Sequence, residues 1–330
     1  MFMSFAPMEG VTGAAYRRIH RQMFPGADRY YAPFVSPDTA GTVKRSQLEA
    51  LRRDEDPEFP LVPQILANNA ASFLAAARRL ADLGYGEINL NLGCPSGTVA
   101  AKHKGAGLLA DADALRRLLD GIFAQPPAAV SVKTRMGWAS TAEFPALLEI
   151  FRAYPLAELI VHARDRAGMY RSDPDVGGFA SVPALCPFPV CYNGNVFSPA
   201  DLARLRSALP GLERVMIGRG AAADPALFRL LRGGDPLGAG ELRAFLDALL
   251  DEALSSGLSP VYALSRMKEL WYYLRWKFPG CDKELKAVFK SRRIENYRAA
   301  LDALFDGGGF DPYSFYGSRD GYTKEMPLSF

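Results

Sequence analysis

The sequence predicts a (β/α)8 TIM barrel followed by an all-helical C-terminal domain. Two observations predict the barrel: eight short β-like runs recur at intervals of a few tens of residues, and amphipathic segments lie between most of them. Strands that alternate with helices form a parallel sheet, and eight such units over about 235 residues suffice for a closed barrel. A third observation predicts the helical domain, because strand signals stop near Gly240 while helical periodicity continues.

The predicted strands are short runs, apolar or alternating, bounded by turn residues. They span residues 3–6, 29–34, 60–66, 87–92, 129–134, 158–163, 189–193 and 214–218. The helices between them span residues 11–24, 68–84, 111–124, 141–154, 198–209 and 223–234. Several begin at a residue typical of N-caps, namely Asn68, Asp111, Ser198 or Asp224. The second unit is the weakest, because charged residues interrupt the segment after its strand.

The chain divides into three predicted parts. Residues 1–238 form the barrel, residues 239–306 form the helical domain, and residues 307–330 form an extended tail rich in glycine and aromatic residues. Within the helical domain we expect helices at 240–256, 260–278 and 283–305. No periodicity supports a structure or a role for the tail.

Composition limits the class of protein. With 330 residues, 49% of them hydrophobic and 23% charged, the chain can bury a large core. No basic leader precedes an apolar segment, and no window approaches the roughly 18 apolar residues of a membrane span, so we expect a cytoplasmic protein with no membrane partner. Four scattered cysteines and three scattered histidines predict reduced thiols and no metal site. A monomer is the default expectation.

Polar side chains collect where the predicted strands end, the face on which barrel enzymes build active sites. The candidates, in chain order, are Pro7, Met8, Glu9, Gln64, Asn91, Cys94, Lys133, Arg135, His162, Asn193, Gly194, Asn195, Gly218 and Arg219. The last two strands are the most informative, because the loops after strands seven and eight commonly bind a phosphate. Gly-Arg-Gly at residues 218–220 therefore predicts a phosphate site.

Lys133 stands where a buried strand would carry an apolar residue, and a buried ammonium is costly unless it meets an anion. It either extends out of the barrel mouth or faces a phosphate or a reduced flavin. Gln64 and His162 on neighbouring strands favour the second interpretation. Asn91 at a strand end often only bonds a turn, and an isolated histidine such as His162 is more often a core residue with its hydrogen bonds satisfied.

Cys94 follows the strand EINLNL in a Gly-Cys-Pro turn. A thiol with an ordinary pKa of about 8.5 is mostly protonated at neutral pH and has a proton to give. A thiolate nucleophile needs an activating base, and the nearest histidine in sequence, His103, lies nine residues away on a loop. These residues favour a proton donor over a nucleophile.

The ordered set FAPMEGVTG, PQI, INLNLGCPS, KGAGLL, VSVKTRMGW, VHARD, YNGNV and VMIGRGA resembles the tRNA-dihydrouridine synthases, and the resemblance covers residues 1–305. It implies an FMN enzyme that uses NADPH to reduce the C5=C6 bond of a uridine in the tRNA D-loop. Cys94 then matches the acid that protonates C5 after hydride reaches C6. Flavin contacts fall on Pro7, Met8, Glu9, Gln64, Lys133, His162, Asn193, Gly194, Asn195, Gly218 and Arg219. Contacts to the uracil fall on Asn91, Arg135 and Tyr170.

The predicted helical domain suits a tRNA partner. Ten basic residues face five acidic ones between Pro260 and Phe305, an excess larger than the net charge of +3 for the whole chain. Trp271, Tyr272, Tyr273 and Trp276 either stack on RNA or form a core stripe, and the core is at least as good an explanation for two of them. One alternative is an FMN barrel oxidoreductase for a free small molecule, of the dihydroorotate dehydrogenase or enoate reductase kind. The other is a non-catalytic RNA-binding module.

Overall fold

A computed structural model describes residues 1–38, 40–51 and 59–317. In that part of the chain nine strands form one parallel sheet. The strands are β1 (Phe2–Phe5), β2 (Arg29–Tyr31), β3 (Leu61–Val62), β4 (Gln64–Ile65), β5 (Glu87–Leu92), β6 (Ala129–Gly137), β7 (Leu159–Asp165), β8 (Val190–Asn193) and β9 (Arg214–Ile217). The helices are α1 (Ala14–Met23), α2 (Arg45–Glu49), α3 (Ala70–Asp82), α4 (Gly97–Ala100), α5 (Ala112–Ala124), α6 (Phe144–Arg152), α7 (Val176–Phe179), α8 (Val182–Leu185), α9 (Pro199–Ala208), α10 (Arg219–Ala223), α11 (Leu227–Leu231), α12 (Ala239–Ser255), α13 (Pro260–Leu274), α14 (Asp282–Lys290) and α15 (Ile294–Asp306).

The sheet closes through its third strand, which is split in two. The strand order is β3-β2-β1-β9-β8-β7-β6-β5-β4, so β3 and β4 stand at the two ends of the order yet are separated in sequence by Pro63 alone. Proline has no N–H to give to the ladder, but the Pro63 carbonyl accepts the Asn89 N–H at 2.9 Å. The predicted (β/α)8 barrel is thus confirmed, with its third strand in two pieces.

The elements differ from the predicted ones at several ends, in one additional helix and in one broken helix. Strand β6 continues to Gly137, three residues beyond the prediction, and β2 stops at Tyr31, two residues before Pro33. The helix predicted at 223–234 is only α11, and a short helix that the sequence did not indicate, α10, precedes it. The long helix predicted at 283–305 is broken at residues 291–293 into α14 and α15.

Two predicted caps, Asp111 and Ser198, accept backbone N–H groups at the starts of α5 and α9. The other two were wrong. Asn69 rather than Asn68 caps α3, and its side chain accepts the Ser72 N–H at 2.9 Å. Asp224 caps no helix; one of its oxygens accepts the Ala226 N–H and the other binds a lysine, as described below.

The N-terminal end of the barrel is closed by a cluster of charges around a buried glutamate. Glu158 is 1% exposed and accepts a hydrogen bond from the Tyr31 hydroxyl at 2.6 Å and one from the Arg214 guanidinium at 3.2 Å. Arg29 lies 3.8 Å from Glu158 and 2.9 Å from Glu87. Above this cluster a small apolar layer fills the barrel interior. Its members are Ala6, Tyr31, Val62, Ile160, Cys191 and Met216.

The C-terminal helices share a core with the barrel. Helix α12 packs on α1, where the Phe245 ring lies 5.3 Å from Tyr16 and 5.2 Å from Phe24. Below α13 the buried Lys277 ammonium lies 2.7 Å from Asp224 of the barrel. Helix α12 begins at the predicted boundary, residue 239, but because the cores merge, the division into two domains stays a prediction.

The first part of the predicted tail is held against the helical region. The Lys277 ammonium donates to the Pro312 carbonyl at 2.7 Å, and the Asp311 N–H donates to the Lys277 carbonyl at 2.8 Å. Residues 318–330 of the predicted tail lie outside the described residues. Among the helices that are described, none combines the length and apolar character needed to cross a bilayer. The same part of the chain holds no group of three His, Cys, Asp or Glu side chains arranged to bind a metal ion.

Candidate active site

Strand register brings the predicted side chains together at the C-terminal mouth of the barrel. Asn91 on β5 is the partner of Lys133 on β6, Arg135 on β6 is the partner of His162 on β7, and His162 is the partner of Asn193 on β8. Because all these strands are parallel, the four neighbouring strand ends lie at one face.

The loop that carries Cys94 is fixed from both sides. The Asn91 side-chain oxygen accepts the N–H groups of Gly93 at 3.0 Å and Cys94 at 2.9 Å. On the other side Gly105 has φ +57°, and a Cβ there would lie 3.0 Å from the Cβ of Cys94. A side chain at residue 105 would therefore be strained and would displace the cysteine. The turn and the glycine together set where the thiol stands.

Burial raises the pKa of the Cys94 thiol above its usual range. A backbone N–H of Ser96 and the charges of Arg135 and Lys133 lower the pKa, but they do not outweigh burial. The thiol is therefore protonated at neutral pH. This state suits a proton donor and disfavours a thiolate nucleophile.

Arg135 ties two loops of the mouth together. It is 1% exposed, and its Nε donates to the Gly93 carbonyl at 3.0 Å, next to Cys94. Its second nitrogen donates to the carbonyls of Asp165 at 2.8 Å and Met169 at 2.9 Å in the loop after β7. The same guanidinium lies 5.3 Å from the centre of the Tyr170 ring. Arg135 thus joins the cysteine loop to the loop that carries Tyr170.

Lys133 lies two residues before Arg135 on β6. Among the described residues it has no carboxylate partner. Burial, and then the charge of Arg135, lower the pKa of Lys133 to about 8. An ammonium in such a place is stabilised by any anion that binds next to it. The mouth therefore has a cation that favours an anionic ligand.

A second network runs from β7 to the start of α10. The Asn195 side-chain oxygen accepts from Arg164 at 3.0 Å and from Arg219 at 2.9 Å, so one carboxamide holds two guanidinium groups. Arg164 also lies 3.0 Å from the Nε2 atom of His162. Arg135, Lys133, Arg164 and Arg219 all lower the pKa of His162, after burial, so the ring is neutral and stands in a strongly positive mouth.

Aromatic rings surround the Arg219 guanidinium. It lies 4.5 Å from the centre of the Tyr170 ring, 5.5 Å from that of Phe197 and 5.6 Å from that of Tyr316. Tyr316 belongs to the tail segment, and it also contacts Tyr273 of α13 at 6.2 Å. The face of an aromatic ring attracts a guanidinium that lies above it. The tail therefore forms part of the wall beside Arg219.

The dihydrouridine synthase family model matches residues 4–235, well over half of the chain. The chain belongs to the dihydrouridine synthase family. It is 30% identical over 294 residues to tRNA-dihydrouridine synthase B of Pseudomonas aeruginosa, covering 86% of each chain. It is 34% identical over 241 residues to the tRNA-dihydrouridine(16) synthase of Ralstonia nicotianae, covering 69% of this chain and 72% of that one. The predicted family and enzyme class, a flavin-dependent oxidoreductase of the tRNA-dihydrouridine synthase type, are confirmed.

Solved structures show the same fold at low identity. Histamine dehydrogenase from Rhizobium sp. 4-9 superposes with a TM-score of 0.54 and 13% identity, covering 81% of this chain and 48% of that longer one. The old yellow enzyme from Trypanosoma cruzi gives a TM-score of 0.51 and 10% identity, covering 72% of this chain and 89% of that one. At these identities the likeness establishes the barrel fold alone.

Most of the predicted site residues of this dihydrouridine synthase form one connected set. Its members are Gln64, Asn91, Cys94, Lys133, Arg135, His162, Tyr170, Asn193, Asn195 and Arg219, joined by strand pairing, hydrogen bonds or ring contacts. Gln64 is fully buried, and its amide bonds Asn89 and Asn91 at 2.7 Å each, so here it supports Asn91. The Asn91 side chain bonds the turn after β5, as is common for an asparagine at a strand end. The contacts of these ten residues with a ligand stay predictions.

The segment after β1 borders this set. A Cβ at Gly218 would lie 3.5 Å from the Met8 sulfur, and the Glu9 charge raises the pKa of Cys94. The Met8 N–H donates to the Thr12 hydroxyl at 2.8 Å, and Glu9 is exposed, within electrostatic range of Arg266 and Glu269 of α13. Flavin contacts by Pro7, Met8 and Glu9 stay predictions.

The glycines have mainly a packing explanation. A Cβ at Gly194 would lie 2.3 Å from the Tyr192 hydroxyl, and one at Gly220 would lie 2.1 Å from the Val196 carbonyl. A Cβ at Gly218 would lie 3.3 Å from the Cβ of Ala6, so Ala6 would have to shift slightly to admit it. Close contact between the last two loops therefore requires Gly220, and the packing of Tyr192 requires Gly194, whatever ligand binds.

Two residues of the network were missed by sequence reasoning. Arg164 was detectable, because period-two alternation along VHARD places it on the same side of β7 as His162. Tyr316 had no such signal, since the tail lacks periodicity and lies some 150 residues after Tyr170 in sequence.

The helical region next to the mouth carries both buried and exposed aromatic residues. Trp271 is fully buried and donates to the Tyr297 hydroxyl at 2.8 Å, and Trp276 is also buried, so these two belong to the core. Tyr272 is 44% exposed, and Tyr273 faces Tyr316. A cavity of about 330 Å³ lies on this region. Its lining is Arg275, Trp276, Asp282, Leu285, Lys286, Phe289 and Lys290.

Proposed function

We propose that the protein reduces the C5=C6 bond of a D-loop uridine in tRNA, with FMN as its flavin and NADPH as the reductant. When bound, reduced FMN supplies the hydride that goes to C6 of the uracil. The Cys94 Sγ–H donates its proton to C5, which leaves a thiolate that takes up a proton from solvent. Asn91, Arg135 and Tyr170 hold the uracil.

One observation carries this proposal: a protonated thiol is fixed next to a mouth lined by four cations and a neutral histidine. Burial keeps the proton on Cys94, as general acid catalysis requires. The positive charge around His162 would stabilise an anionic cofactor placed there. A non-catalytic RNA-binding module has no use for this arrangement.

The residues present fit FMN. Lys133 is a buried ammonium that an anion would stabilise, which suits the negative ring of a reduced flavin. Arg219, held by Asn195 and three aromatic rings, offers a fixed guanidinium for the phosphate, next to Gly194 and Gly218. Pro7, Met8, Glu9, Gln64, Asn193 and His162 complete the proposed flavin contacts.

The helical region suits the tRNA. A stacked base is out of reach of the barrel mouth, so the enzyme must extract the uridine and hold the rest of the RNA by its phosphates. The cavity lined by Arg275, Lys286, Lys290 and Phe289 offers charge for phosphates and a ring face for a base. We assign tRNA binding to residues 239–306 and propose a cytoplasmic monomer.

Position 16 is the target we propose. The relatives named tRNA-dihydrouridine(16) synthase share 34% identity over 241 residues in Ralstonia nicotianae and 38% over 181 residues in Cupriavidus necator. The synthase B relatives share 30%. The mapping experiment at the end of the Discussion tests this target.

The proposal is tested by measuring which candidate substrate supports oxidation of NADPH by the protein. Under anaerobic conditions, purified protein reconstituted with FMN should oxidise NADPH beyond the one equivalent that reduces the flavin when unmodified tRNA is added. It should stop at that one equivalent with free uridine, dihydroorotate-type pyrimidines or an enone. Turnover with an enone but not with tRNA would replace the proposal with the small-molecule oxidoreductase.

The pH dependence of FMN affinity tests the role of Lys133. Its pKa of about 8 in the flavin-free protein means that the ammonium form, which attracts the anion, is lost above that pH. Linkage then predicts that the Kd for reduced FMN, whose ring is anionic, rises above about pH 8, by up to tenfold per pH unit. Anaerobic equilibrium dialysis with dithionite-reduced FMN between pH 7 and 9.5 measures it. Lys133→Met should bind reduced FMN more weakly and with a flat profile, and a flat wild-type profile would refute the role.

A further inference from the structure

The contact between Arg164 and His162 determines which ring nitrogen carries the proton. The guanidinium NH1 of Arg164 lies 3.0 Å from Nε2 of His162. A guanidinium has N–H donors and no acceptor, so Nε2 must be the acceptor. A neutral imidazole has one N–H and one acceptor nitrogen, so the proton stands on Nδ1.

The charges at the site support a neutral ring beside a charged guanidinium. Burial and four neighbouring cations hold the pKa of His162 well below its usual value. Burial and the charge of Arg219 lower the pKa of Arg164 only to about 10. At neutral pH the ring therefore has one proton, and Arg164 keeps its full charge.

Arg164 is itself held in place. It is 1% exposed, its Nε donates to the Ser172 carbonyl at 2.7 Å, and its other terminal nitrogen donates to Asn195 at 3.0 Å. Two further anchors thus prevent the guanidinium from turning away from His162. The tautomer is imposed by the fold.

The second nitrogen of His162 is left for a ligand. Across residues 1–38, 40–51 and 59–317, the His162 side chain has one hydrogen bond, to Arg164, and that bond uses Nε2. The ring is 7% exposed, and it stands on β7 between Arg135 and Asn193 at the mouth. An N–H donor without a protein partner in a ligand site is available to an acceptor on the ligand.

We propose that Arg164 is a positioning residue, which fixes His162 as the Nδ1–H tautomer so that the ring donates a hydrogen bond to an acceptor atom of the bound flavin. His162 is then neither an acid nor a base in the reaction. The identity of the ligand rests on the proposed function, whereas the tautomer does not.

The protein contains its own reference for the opposite tautomer. Nε2 of His20 lies 2.9 Å from the Pro225 carbonyl, which only accepts, so His20 must carry its proton on Nε2. Its Nδ1 accepts from the Tyr30 hydroxyl at 2.9 Å. The third histidine, His103, is exposed.

Nitrogen-15 NMR of the FMN-loaded protein with labelled histidine tests the tautomer directly. We expect a neutral Nδ1–H ring for His162 and a neutral Nε2–H ring for His20 at pH 7.5. His103→Gln and His162→Asn assign the signals. Release of FMN should shift the Nδ1–H signal of His162 and leave that of Nε2 nearly unchanged. An Nε2–H or doubly protonated His162 would overturn the inference, even in an active enzyme.

Two variants test the role of Arg164. Arg164→Met removes the donor, so His162 should become a mixture of tautomers, and kcat with tRNA should fall by about 10- to 100-fold while KM for tRNA changes little. Arg164→Lys keeps a group that only donates hydrogen bonds. It should therefore restore part of the Nδ1–H tautomer of His162 and part of kcat. The unchanged His20 spectrum reports that the fold is intact. Loss of activity without a change of tautomer, or the reverse, would exclude the positioning role.

A correct tautomer without activity on tRNA would count against the proposed function and leave the assignment of the proton in place. The two claims therefore fail separately.

Discussion

Replacing Cys94 by alanine should lower dihydrouridine formation by about 10²–10⁴-fold, the usual contribution of a positioned acid. Reduction of bound FMN by NADPH should be unchanged, because Cys94 gives its proton to the base and not to the cofactor. The loop should keep its shape, since the Asn91 turn bonds the backbone N–H of residue 94 and not its side chain. Anaerobic stopped-flow measurement of flavin reduction by NADPH and of flavin reoxidation by tRNA separates the two half-reactions.

Cys186→Ala is the matched control. Its thiol is also partly buried, with the pKa raised to about 11 by burial, but it lies at the end of α8 away from the mouth. Its activity should equal that of the wild type. If Cys94→Ala kept near-normal reoxidation by tRNA, another group would be the acid.

Lys277→Met should destabilise the protein by about 3–5 kcal/mol, since it leaves a buried carboxylate without its partner. Lys277 and Asp224 are almost fully buried and 2.7 Å apart. The lysine also holds the Pro312 carbonyl, so the segment that carries Tyr316 should become sensitive to protease. Urea unfolding and limited proteolysis measure the two effects.

The loss should depend on pH. Burial raises the pKa of Asp224, and the Lys277 charge lowers it, so the variant raises that pKa further. The folded variant then holds a proton that the unfolded chain releases, and its stability falls as pH rises towards neutrality. The difference from the wild type should thus be smaller at pH 5 than at pH 7.5.

Two controls complete this test. Adding Asp224→Asn to Lys277→Met should recover part of the loss, because the buried charge is removed. Arg298→Ala breaks an ion pair of the same length, 2.7 Å to Asp251, but an exposed one, and should stay within about 1 kcal/mol of the wild type. Equal losses for the buried and exposed pairs would contradict the account.

The barrel was predictable because its signals are local. Each strand is a short apolar run, and parallel pairing follows from the helices between the runs. The wrongly predicted cap and the unpredicted helix break depend on contacts between residues far apart in sequence. Asp224 has the composition of a cap, yet its partner, Lys277, lies 53 residues away. Ser291 ends α14 although no proline or glycine marks the break.

The sequence predicted which residues belong to the site better than it predicted what each side chain does there. Strand-end position sufficed to select Asn91, Arg135 and His162, because all parallel strands end at one face. Which of them face a ligand and which hold the loops depends on three-dimensional partners, such as the three carbonyls around Arg135. The contact of Tyr316 with Arg219 was out of reach, since it requires the tail to return to the barrel mouth.

The central claim is tested most directly by mapping the product on the RNA. Unmodified tRNA is incubated with the FMN-loaded protein and NADPH, and nuclease fragments are weighed by mass spectrometry. The account predicts a gain of two hydrogen atoms on one D-loop fragment, at position 16, and almost none with Cys94→Ala. No gain on any fragment, although NADPH reduces the bound FMN, would contradict it.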